Sequence, residues 1–368
     1  QNLMESLARK GAEIHIFARK WSGSCPPGVT VHRVGGPAWP SFAAYASFVA
    51  LVGRAVREGG FDLVQSNERT LCQHIYRAGD GVHARWLELR LMREGFWKRL
   101  SIRTNPFHAY RLRLEKRLFE DPRLKAVVVN SEMVRGEILS RFRISGGKIR
   151  TVYNGVDLQR FHPANRNGAG MALRRRNGVE DGTPVVLFVG SGFDRKGLRF
   201  AIEGLARAAG DARLWVVGKG RTGRFLSLAE KLGVSGRIRF FGPQGDVAPF
   251  FAAADCFVLP TMYDPFPTAV LEAMAAGLPV VTTAQCGASE IIEPGREGFV
   301  LPWPDRTDSL ADCMKELFDP ERRLVMGMSA RKRAEDFPME RTVAELEKLY
   351  GEILGDSAAI AAEEGFPG

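Results

Sequence analysis

Short apolar strands alternate with helical segments along most of this chain, and this rhythm constrains the fold more than any other feature of the sequence. Apolar runs of this length with helices between them are typical of parallel strands that helices cover on both faces. The sequence therefore predicts an α/β fold built on doubly wound parallel sheets. The predicted strands lie at 13–17, 62–64, 126–129, 185–189, 214–217, 238–241, 256–259 and 280–282.

The length of the chain allows two such sheets, because 368 residues can form two separate hydrophobic cores. The segment 157–184 is rich in Arg, Asn and Gly and only weakly periodic, which indicates a connection between domains. We therefore predict a first domain at 1–160 and a second at 161–339, with a helix at 340–368 as a candidate to pack back on the first. The opening residues QNLMESLARKG have a helical composition, so we expect the N-terminal strand of the fold to precede Gln1.

Composition narrows the class of protein. With 45% apolar and 26% charged residues the chain is an ordinary globular protein, and none of its apolar runs reaches the length of a membrane span. Its five cysteines are scattered without a CxxC spacing, which favours a reduced cytosolic protein over a disulfide framework or a zinc site.

A glycine-rich loop, GSGFDRKG at 190–197, follows a predicted strand and opens a helix. Gly190 and Gly192 let the backbone approach a ligand, while the helix N-terminus and the side chains of Arg195 and Lys196 favour an anion. These features predict a diphosphate site. The loop is neither a P-loop nor a GxGxxG dinucleotide loop, and the alternative is a tight turn with a solvated basic pair.

A second polar segment, MYDPFPTAVLEAMAAGLPVV at 262–281, precedes the last predicted strand. Its composition predicts a helix at 269–276, with Asp264 in the loop that leads into it and Glu272 inside it. By itself, this pattern leaves open whether the two carboxylates bind a ligand or are a helix cap and a surface acid.

In combination, these segments resemble the nucleotide-sugar site of the family 4 retaining glycosyltransferases, which have the GT-B fold of two Rossmann-like domains facing across a cleft. The resemblance covers nearly the whole chain. The segments VYNGVD at 152–157, AAAD at 252–255 and EAMAAGLPVV at 272–281 match signatures of the family. Within the family, the likeness is greatest to the glucosyltransferases that add glucose to a heptose of the lipopolysaccharide core, and it is carried by 190–197, 228–234 and 282–287.

The resemblance implies roles for the donor-site residues. Glu272 would accept hydrogen bonds from the ribose hydroxyls and Asp264 would lie against the sugar ring, because a carboxylate accepts from vicinal hydroxyls. Arg195, Lys196 and the first N–H groups of the following helix would face the diphosphate. The complete predicted donor set is Gly190, Gly192, Arg195, Lys196, Asp264, Phe266, Thr268, Ala269 and Glu272.

Two departures from the family pattern concern the recognition of the donor sugar rather than that of the nucleotide. The family usually has Glu where this chain has Asp264, and it often has Gly where this chain has Pro267. By the resemblance, transfer proceeds with retention and needs no cofactor or metal ion. The sequence contains no Asp-x-Asp motif, which holds a divalent cation on the diphosphate in the other main glycosyltransferase fold. The donor phosphate itself can accept the proton of the acceptor, so the protein need not supply a general base.

The first half of the chain contains a less explicit site in AGDGVHAR at 78–85. By the resemblance, Asp80 lies near the transferred sugar, and His83 could orient the acceptor or stabilise developing positive charge. A lone His is more often a packed or capped residue, and this alternative stays open. The predicted catalytic residues are Asp80, His83, Arg195, Lys196 and Asp264.

Basic and aromatic residues interleave at 85–117, where ten Arg or Lys and three acids give a net charge of +7 out of +10 for the chain. This mixture favours an anionic membrane surface, where each cation contributes about 1 kcal/mol. The alternative is an amphipathic helix whose apolar face belongs to the core. The predicted membrane patch is Arg85, Trp86, Arg90, Arg93, Phe96, Trp97, Lys98 and Arg99.

The resemblance implies a metal-independent hexosyltransferase that moves glucose from UDP-glucose to a lipopolysaccharide core or related glycolipid. Its partners would be the nucleotide-sugar, the glycolipid and the anionic inner face of the bacterial inner membrane, to which it would attach peripherally from the cytoplasm, and not nucleic acid. The alternatives are another donor or acceptor, a GT-B-like sugar-nucleotide 2-epimerase, and a basic nucleotide- or nucleic-acid-binding protein without catalysis.

Overall fold

The structure is a computed structural model that describes residues 2–21, 25, 27–36, 41–208 and 210–364. Gln1 and the last part of the predicted C-terminal helix, 365–368, lie outside the described residues. Internal contacts divide the chain into two compact units, Gln1–Val152 with Glu340–Gly368 and Tyr153–Met339, whereas the sequence led us to expect a boundary at residue 160.

The elements are numbered in chain order. The strands are β1 (Ile14–Ala18), β2 (Val29–Arg33), β3 (Gln65–Ser66), β4 (Ile75–Arg77), β5 (Ala126–Val129), β6 (Ile149–Thr151), β7 (Val185–Val189), β8 (Arg213–Val217), β9 (Ile238–Gly242), β10 (Cys256–Leu259), β11 (Val280–Thr283) and β12 (Gly298–Leu301). The α-helices are α1 (Asn2–Arg9), α2 (Ser41–Gly59), α3 (His83–Arg93), α4 (Phe96–Thr104), α5 (Pro106–Phe119), α6 (Glu132–Leu139), α7 (Ala169–Arg176), α8 (Leu198–Arg207), α9 (Gly223–Lys231), α10 (Ala248–Ala253), α11 (Thr268–Ala275), α12 (Thr307–Phe318), α13 (Pro320–Ala334) and α14 (Met339–Glu364). Short 3-10 helices lie at Gly146–Lys148, Pro163–Asn167, Ser235–Arg237 and Gly287–Ile291.

The second unit contains a six-stranded parallel sheet in the order β12-β11-β10-β7-β8-β9. Its two central strands, with the sequences VVLFV and CFVL, are buried almost throughout, as expected for apolar strands covered on both faces. The chain order reverses between β7 and β10, so the loops after these strands leave one edge of the sheet side by side. Doubly wound sheets bind their ligands at such a point.

The first unit contains a four-stranded parallel sheet, β3-β4-β5-β6, and a separate parallel pair, β1-β2. The C-terminal helix α14 belongs to this unit, where Leu346 and Ile353 form one core cluster with Ile75 and Val128 of the sheet. Within the described residues the first element is α1, and no strand precedes β1. The two parallel sheets confirm the predicted fold class.

The strand predicted at 62–64 was wrong. The backbone N–H of Val64 donates to the Nδ1 atom of His74 at 3.2 Å, and strand pairing with β4 begins only at Gln65. The backbone oxygen of Val64 accepts from the N–H groups of His74 at 2.9 Å and Ile75 at 3.0 Å, so this apolar run meets β4 only at its last residue.

The irregular connection predicted at 157–184 was also wrong in part, because this segment forms α7 within the second unit. Arg174 of α7 is buried, and its guanidinium donates to the backbone oxygens of Ala253 and Thr183 and to the carboxylate of Asp255. These distant partners stabilise a helix whose own sequence shows weak periodicity.

Candidate donor site and acceptor loop

The glycine-rich loop joins β7 to α8 at the switch point of the second sheet. Gly197 ends the loop with a φ of +81°, and a Cβ atom there would lie 1.8 Å from the backbone oxygen of Pro260. Only glycine fits this close approach, which brings the loop against the end of β10. The side chain of Lys196 lies over Gly190, where an added Cβ atom would be 3.3 Å from its Cε atom.

The structure brings three of the predicted site residues into one cluster. Asp264 is buried, and its Oδ2 atom lies 3.1 Å from Nη1 of Arg195 and also forms an ion pair with Nζ of Lys196. The guanidinium of Arg195 donates in addition to the backbone oxygen of Tyr263 at 2.9 Å. Two cations thus share one carboxylate, which leaves the cluster with a formal charge of +1.

The backbone around Asp264 is tied to the sheet edge and to the start of the second unit. Its N–H donates to the oxygen of Gln285 at 3.0 Å, and its own oxygen accepts from the N–H of Gly287 at 2.8 Å. Asn154, in the turn that opens the unit, donates from Nδ2 to the oxygen of Phe266 at 3.0 Å. Residues distant in sequence therefore determine where this loop lies.

Helix α11 begins at Thr268, one residue before the predicted start, with Pro267 in the N-cap position. The first N–H groups of a helix have no partner within it, so those of the exposed Thr268 and its neighbour Ala269 are available to an anion. Glu272 lies one turn further along the helix and is half-buried. Phe266 lies just before the helix and is buried in the core of the unit, so it anchors the loop to this core.

Burial raises the pKa of Glu272 to about 7, although the positive charges of Arg160 and Lys196 and a hydrogen bond with Thr268 act in the opposite direction. Arg160 is held by Asp246, with 2.8 Å between its Nη2 atom and Oδ1. A carboxyl group with this pKa changes charge near neutral pH. The sequence indicated Glu272 but gave no sign of Arg160 beside it.

In the first unit, the loop after β4 carries Asp80 and leads into α3, which begins at His83. Asp80 is exposed, whereas His83 is buried. The carboxylate of Glu115 accepts from the backbone N–H groups of His83 at 2.8 Å and Ala84 at 3.1 Å, and so caps the helix. His83 therefore has the capped, packed surroundings that the sequence left open.

Sequence reasoning missed the pair that holds this loop. Arg69 and Glu115 are both buried, with 2.9 Å between Nε and Oε1, and Arg69 also donates from Nη2 to the oxygen of Gly81 at 2.7 Å. The only signal was that Glu115 is the one acid in the basic helix α5. Its partner lies 46 residues away in the sequence, which no local pattern indicates.

The imidazole of His83 is kept neutral. Burial, together with the positive charges of Arg111 and Arg69, lowers the pKa of His83 to about 3. Its Nε2 atom lies 3.2 Å from Nδ1 of His108. At neutral pH, this residue can exchange a hydrogen bond but carries no positive charge.

The predicted membrane patch divides between two environments. Arg85, Trp86 and Arg90 on α3 are half-buried, and Arg85 pairs with Glu137 at 3.5 Å. On α4, by contrast, Phe96 and Trp97 are 70% and 79% exposed. The exposed members of the patch are Arg93, Phe96, Trp97, Lys98 and Arg99.

The described part of the chain contains neither a membrane-spanning helix nor a cluster of metal-binding side chains. No helix there combines the length and the apolar character needed to cross a bilayer. Among the same residues, no three side chains of His, Cys, Asp or Glu lie close enough together to hold a metal ion.

Two family profiles match the chain, one in each half. Residues 1–160 match the profile described as Glycosyltransferase Family 4, and residues 183–319 match Glycosyl transferases group 1. The second match contains the whole Arg195–Asp264 cluster. The chain belongs to the family 4 glycosyltransferases.

Similar sequences support this membership along the whole chain. The lipopolysaccharide glucosyltransferase WaaG of Escherichia coli strain K12 is 27% identical over 338 residues, which cover 90% of this chain and 88% of WaaG. A D-inositol 3-phosphate glycosyltransferase of Saccharomonospora viridis is 28% identical over 396 residues, which cover 97% of this chain and 89% of the relative.

Solved structures confirm the fold of this glycosyltransferase. A crystal structure of WaaG, a glycosyltransferase involved in lipopolysaccharide biosynthesis, matches with a TM-score of 0.83 at 24% identity and covers 95% of this chain and 94% of WaaG. HepE from Anabaena in complex with UDP-glucose matches with a TM-score of 0.69 at 19% identity, covering 88% and 86% of the two chains. The predicted GT-B fold is therefore confirmed.

Proposed function

We propose that this glycosyltransferase moves glucose from UDP-glucose to a lipopolysaccharide core or a related glycolipid acceptor. The observation that carries the donor part is the buried Asp264 shared by Arg195 and Lys196 at the switch point of the second sheet. The similarity to WaaG, a lipopolysaccharide glucosyltransferase, supports the assignment of the acceptor. The similarity to HepE, whose structure contains UDP-glucose, supports the assignment of the donor.

In this proposal, each donor-site group has one role. Arg195, Lys196 and the free N–H groups at the start of α11 bind the diphosphate, because a net positive cluster and a helix N-terminus both favour an anion. Glu272 accepts hydrogen bonds from the ribose hydroxyls. Asp264 accepts from the sugar, and its ion pairs hold the carboxylate in place for this contact.

Transfer proceeds with retention and without a metal ion or cofactor. The negative charge that develops on the leaving diphosphate is met by Arg195 and Lys196, which are already in position before the reaction. The donor phosphate takes the proton from the acceptor hydroxyl, so the protein supplies no separate base. Asp80, on the loop after β4, lies near the transferred sugar, and His83, the first residue of α3, orients the acceptor.

The test is product analysis with radiolabelled UDP-glucose, with and without a lipid-linked oligosaccharide acceptor and with EDTA present throughout. The expected product is an α-glucoside formed only with the acceptor. A 2-epimeric sugar nucleotide formed without acceptor would identify an epimerase instead. If the protein binds UDP-glucose but forms no product with any acceptor, the result would indicate a nucleotide-binding protein without catalytic activity.

The similarity to D-inositol 3-phosphate glycosyltransferases favours a second candidate, transfer to a phosphorylated polyol. The same assay with inositol 3-phosphate as the acceptor separates the two. Labelled product with this acceptor and none with the glycolipid would replace the lipopolysaccharide assignment.

The proposal includes peripheral attachment to the cytoplasmic face of the inner membrane through α4. Phe96 and Trp97 are the most exposed aromatic side chains among the described residues, and Lys98 and Arg99 follow them directly. Aromatic rings enter the membrane interface while neighbouring cations attract anionic lipid, at about 1 kcal/mol for each cation. Arg85 and Arg90 contribute less to this surface, because they are half-buried.

The membrane role is tested by sedimentation with phosphatidylglycerol vesicles at low and high salt. The triple variant Trp97→Ser, Lys98→Glu and Arg99→Glu should sediment with the vesicles far less than the parent does at low salt. Added salt should release the parent from the vesicles, because it screens the charges. Activity on a short water-soluble acceptor should stay close to that of the parent.

A control variant changes an equally exposed surface of the second unit. Leu324 is 64% exposed, and Lys315 and Lys332 are exposed near it in the sequence. Leu324→Ser with Lys315→Glu and Lys332→Glu makes the same change of charge and should sediment like the parent. Equal sedimentation of the parent and the α4 variant would refute the membrane role.

A further inference from the structure

We infer that a cluster of arginines and histidines in the first unit binds an anionic group, a phosphate or carboxylate, on the acceptor. This inference rests on the proposed function, since it names the chemical class of the acceptor that the enzyme takes. The Arg–His cluster, as we call it, consists of Arg69, His83, Arg90, His108 and Arg111.

The members of the cluster lie close together although they come from three segments of the chain. The His83 and His108 rings have centroids 5.2 Å apart, with 3.2 Å between Nε2 and Nδ1. Arg69, Arg90 and Arg111 each lie near enough to His83 to lower its pKa through their charge. Arg90 and Arg111 also lower the pKa of His108.

The charge of the cluster is not balanced. Both histidines have lowered pKa values, so the cluster contains three guanidinium charges at neutral pH. Among the described residues, one buried carboxylate, that of Glu115, forms an ion pair with Arg69 and is already used by two backbone N–H groups. Glu68 and Asp80 lie beside Tyr45 and Tyr76 at the edge of the cluster, but both are exposed, so solvent screens their charge. Glu94 lies 4.0 Å from Arg90 but pairs more closely with Lys98, at 2.8 Å. An excess of positive charge therefore remains.

Some hydrogen-bond donors in and beside the cluster have no acceptor among the described residues. Within that part of the chain, the Nη1 atom of Arg69 and the Nε atom of Arg111 are buried without a hydrogen-bond partner, as is the hydroxyl of Tyr76 next to Arg69. A buried donor without an acceptor costs about 1–3 kcal/mol, and more when it is charged. A water molecule could satisfy a donor but not the excess charge, whereas a phosphate or carboxylate supplies oxygens and negative charge together.

The cluster is accessible to solvent, but its members are too deeply buried to bind a flat surface such as a membrane. Arg69 is 1% exposed and His83 is 7% exposed, while Arg90, His108 and Arg111 are half-buried. The rings of Tyr45 and Phe107 pack against the guanidinium of Arg111, each at 5.6 Å, and so hold it in place. This arrangement suits one anionic group that projects from an acceptor, in contrast to the exposed α4.

Inorganic phosphate is the probe, added to the full-length protein with saturating UDP at constant ionic strength. Histidine ring signals in NMR spectra, assigned with a His108→Gln variant, should shift saturably for His83 and His108. Arg90→Gln with Arg111→Gln should bind phosphate at least about tenfold more weakly. Arg113→Gln, an exposed position on the same helix as Arg111, should bind like the parent. A UDP affinity and a circular dichroism spectrum equal to those of the parent will show that each variant is folded.

Two results would overturn the inference: no saturable shift in the parent, or equal phosphate affinity in the parent and the double variant. Phosphate should also compete with the acceptor and not with UDP-glucose. Binding without this competition would refute the acceptor as the source of the anion. Glucose transfer without phosphate binding refutes only this inference, and phosphate binding without transfer to any acceptor refutes only the proposed function.

Discussion

Replacing Glu115 by Gln should destabilise the first unit strongly, because it removes the one carboxylate among the described residues that forms an ion pair with the buried Arg69. In the structure this carboxylate accepts three hydrogen bonds, from Arg69 at 2.9 Å, His83 at 2.8 Å and Ala84 at 3.1 Å. The amide of Gln retains one oxygen, but its NH₂ group would face a donor. Arg69 would then remain buried without a counter-charge.

The size of the effect follows from the burial of the pair, whose side chains are 2% and 0% exposed. Removing one partner of such a pair costs about 3–5 kcal/mol. For a unit of about 180 residues, each kcal/mol lowers Tm by about 2–4 °C, so a decrease of about 6–20 °C is expected. The Asp80 and His83 loop loses its support, so glucose transfer should fall while UDP affinity stays unchanged.

Scanning calorimetry measures the decrease in the Tm of the first unit. Saturating UDP should raise the Tm of the second unit only, so runs with and without UDP show which unfolding transition belongs to which unit. Glu58→Gln is the matched control, since Glu58 also pairs with an arginine, Arg54 at 2.7 Å, but with side chains 73% and 62% exposed. Such an exposed surface pair contributes little to stability because solvent screens it, so the Tm of the Glu58→Gln variant should barely change. A Glu115→Gln variant as stable as Glu58→Gln would refute the reasoning.

Two further predictions concern the donor site. The affinity for UDP-glucose should rise by up to about tenfold between pH 6 and pH 8, because burial raises the pKa of Glu272 to about 7 and the ribose hydroxyls need the ionised form. Glu272→Gln should bind UDP-glucose more weakly and with no pH dependence over this range, as measured by calorimetry. Asp264→Asn should bind UDP several-fold more tightly, because Arg195 and Lys196 lose their shared counter-charge, yet it should transfer glucose far more slowly.

Each of these donor-site predictions has a result that contradicts it. The sign for Glu272 is fixed: a raised pKa means that the carboxyl group is protonated below pH 7 and ionises above it, so affinity that falls with pH would exclude a carboxylate acceptor. A pH dependence that persists in Glu272→Gln would assign the titration to another group. For Asp264→Asn, weaker UDP binding with an intact fold would show that the two cations do not contact the diphosphate.

The strands and loops of the second unit could be predicted from the sequence because their environment is uniform. The residues of β7 and β10 are buried on both faces, so an uninterrupted apolar run predicts them directly, and the strands predicted at 185–189 and 256–259 have the observed bounds. The glycine-rich loop and the acids at 264 and 272 were predictable for a related reason. Their chemistry is contained in short segments next to a strand or a helix.

The tertiary structure decided the features that depend on partners distant in the sequence. Helix α7 forms where the sequence indicates a connection, since Arg174 reaches Asp255, 81 residues away. The strand predicted at 62–64 is absent because pairing with β4 begins only at Gln65, while the N–H of Val64 donates to the side chain of His74, ten residues away. The sharing of Asp264 by two cations and the capping of α3 by Glu115 likewise involve separations of 69 and 32 residues. A buried charge selects its partner by distance and desolvation in the folded chain, and local sequence contains neither.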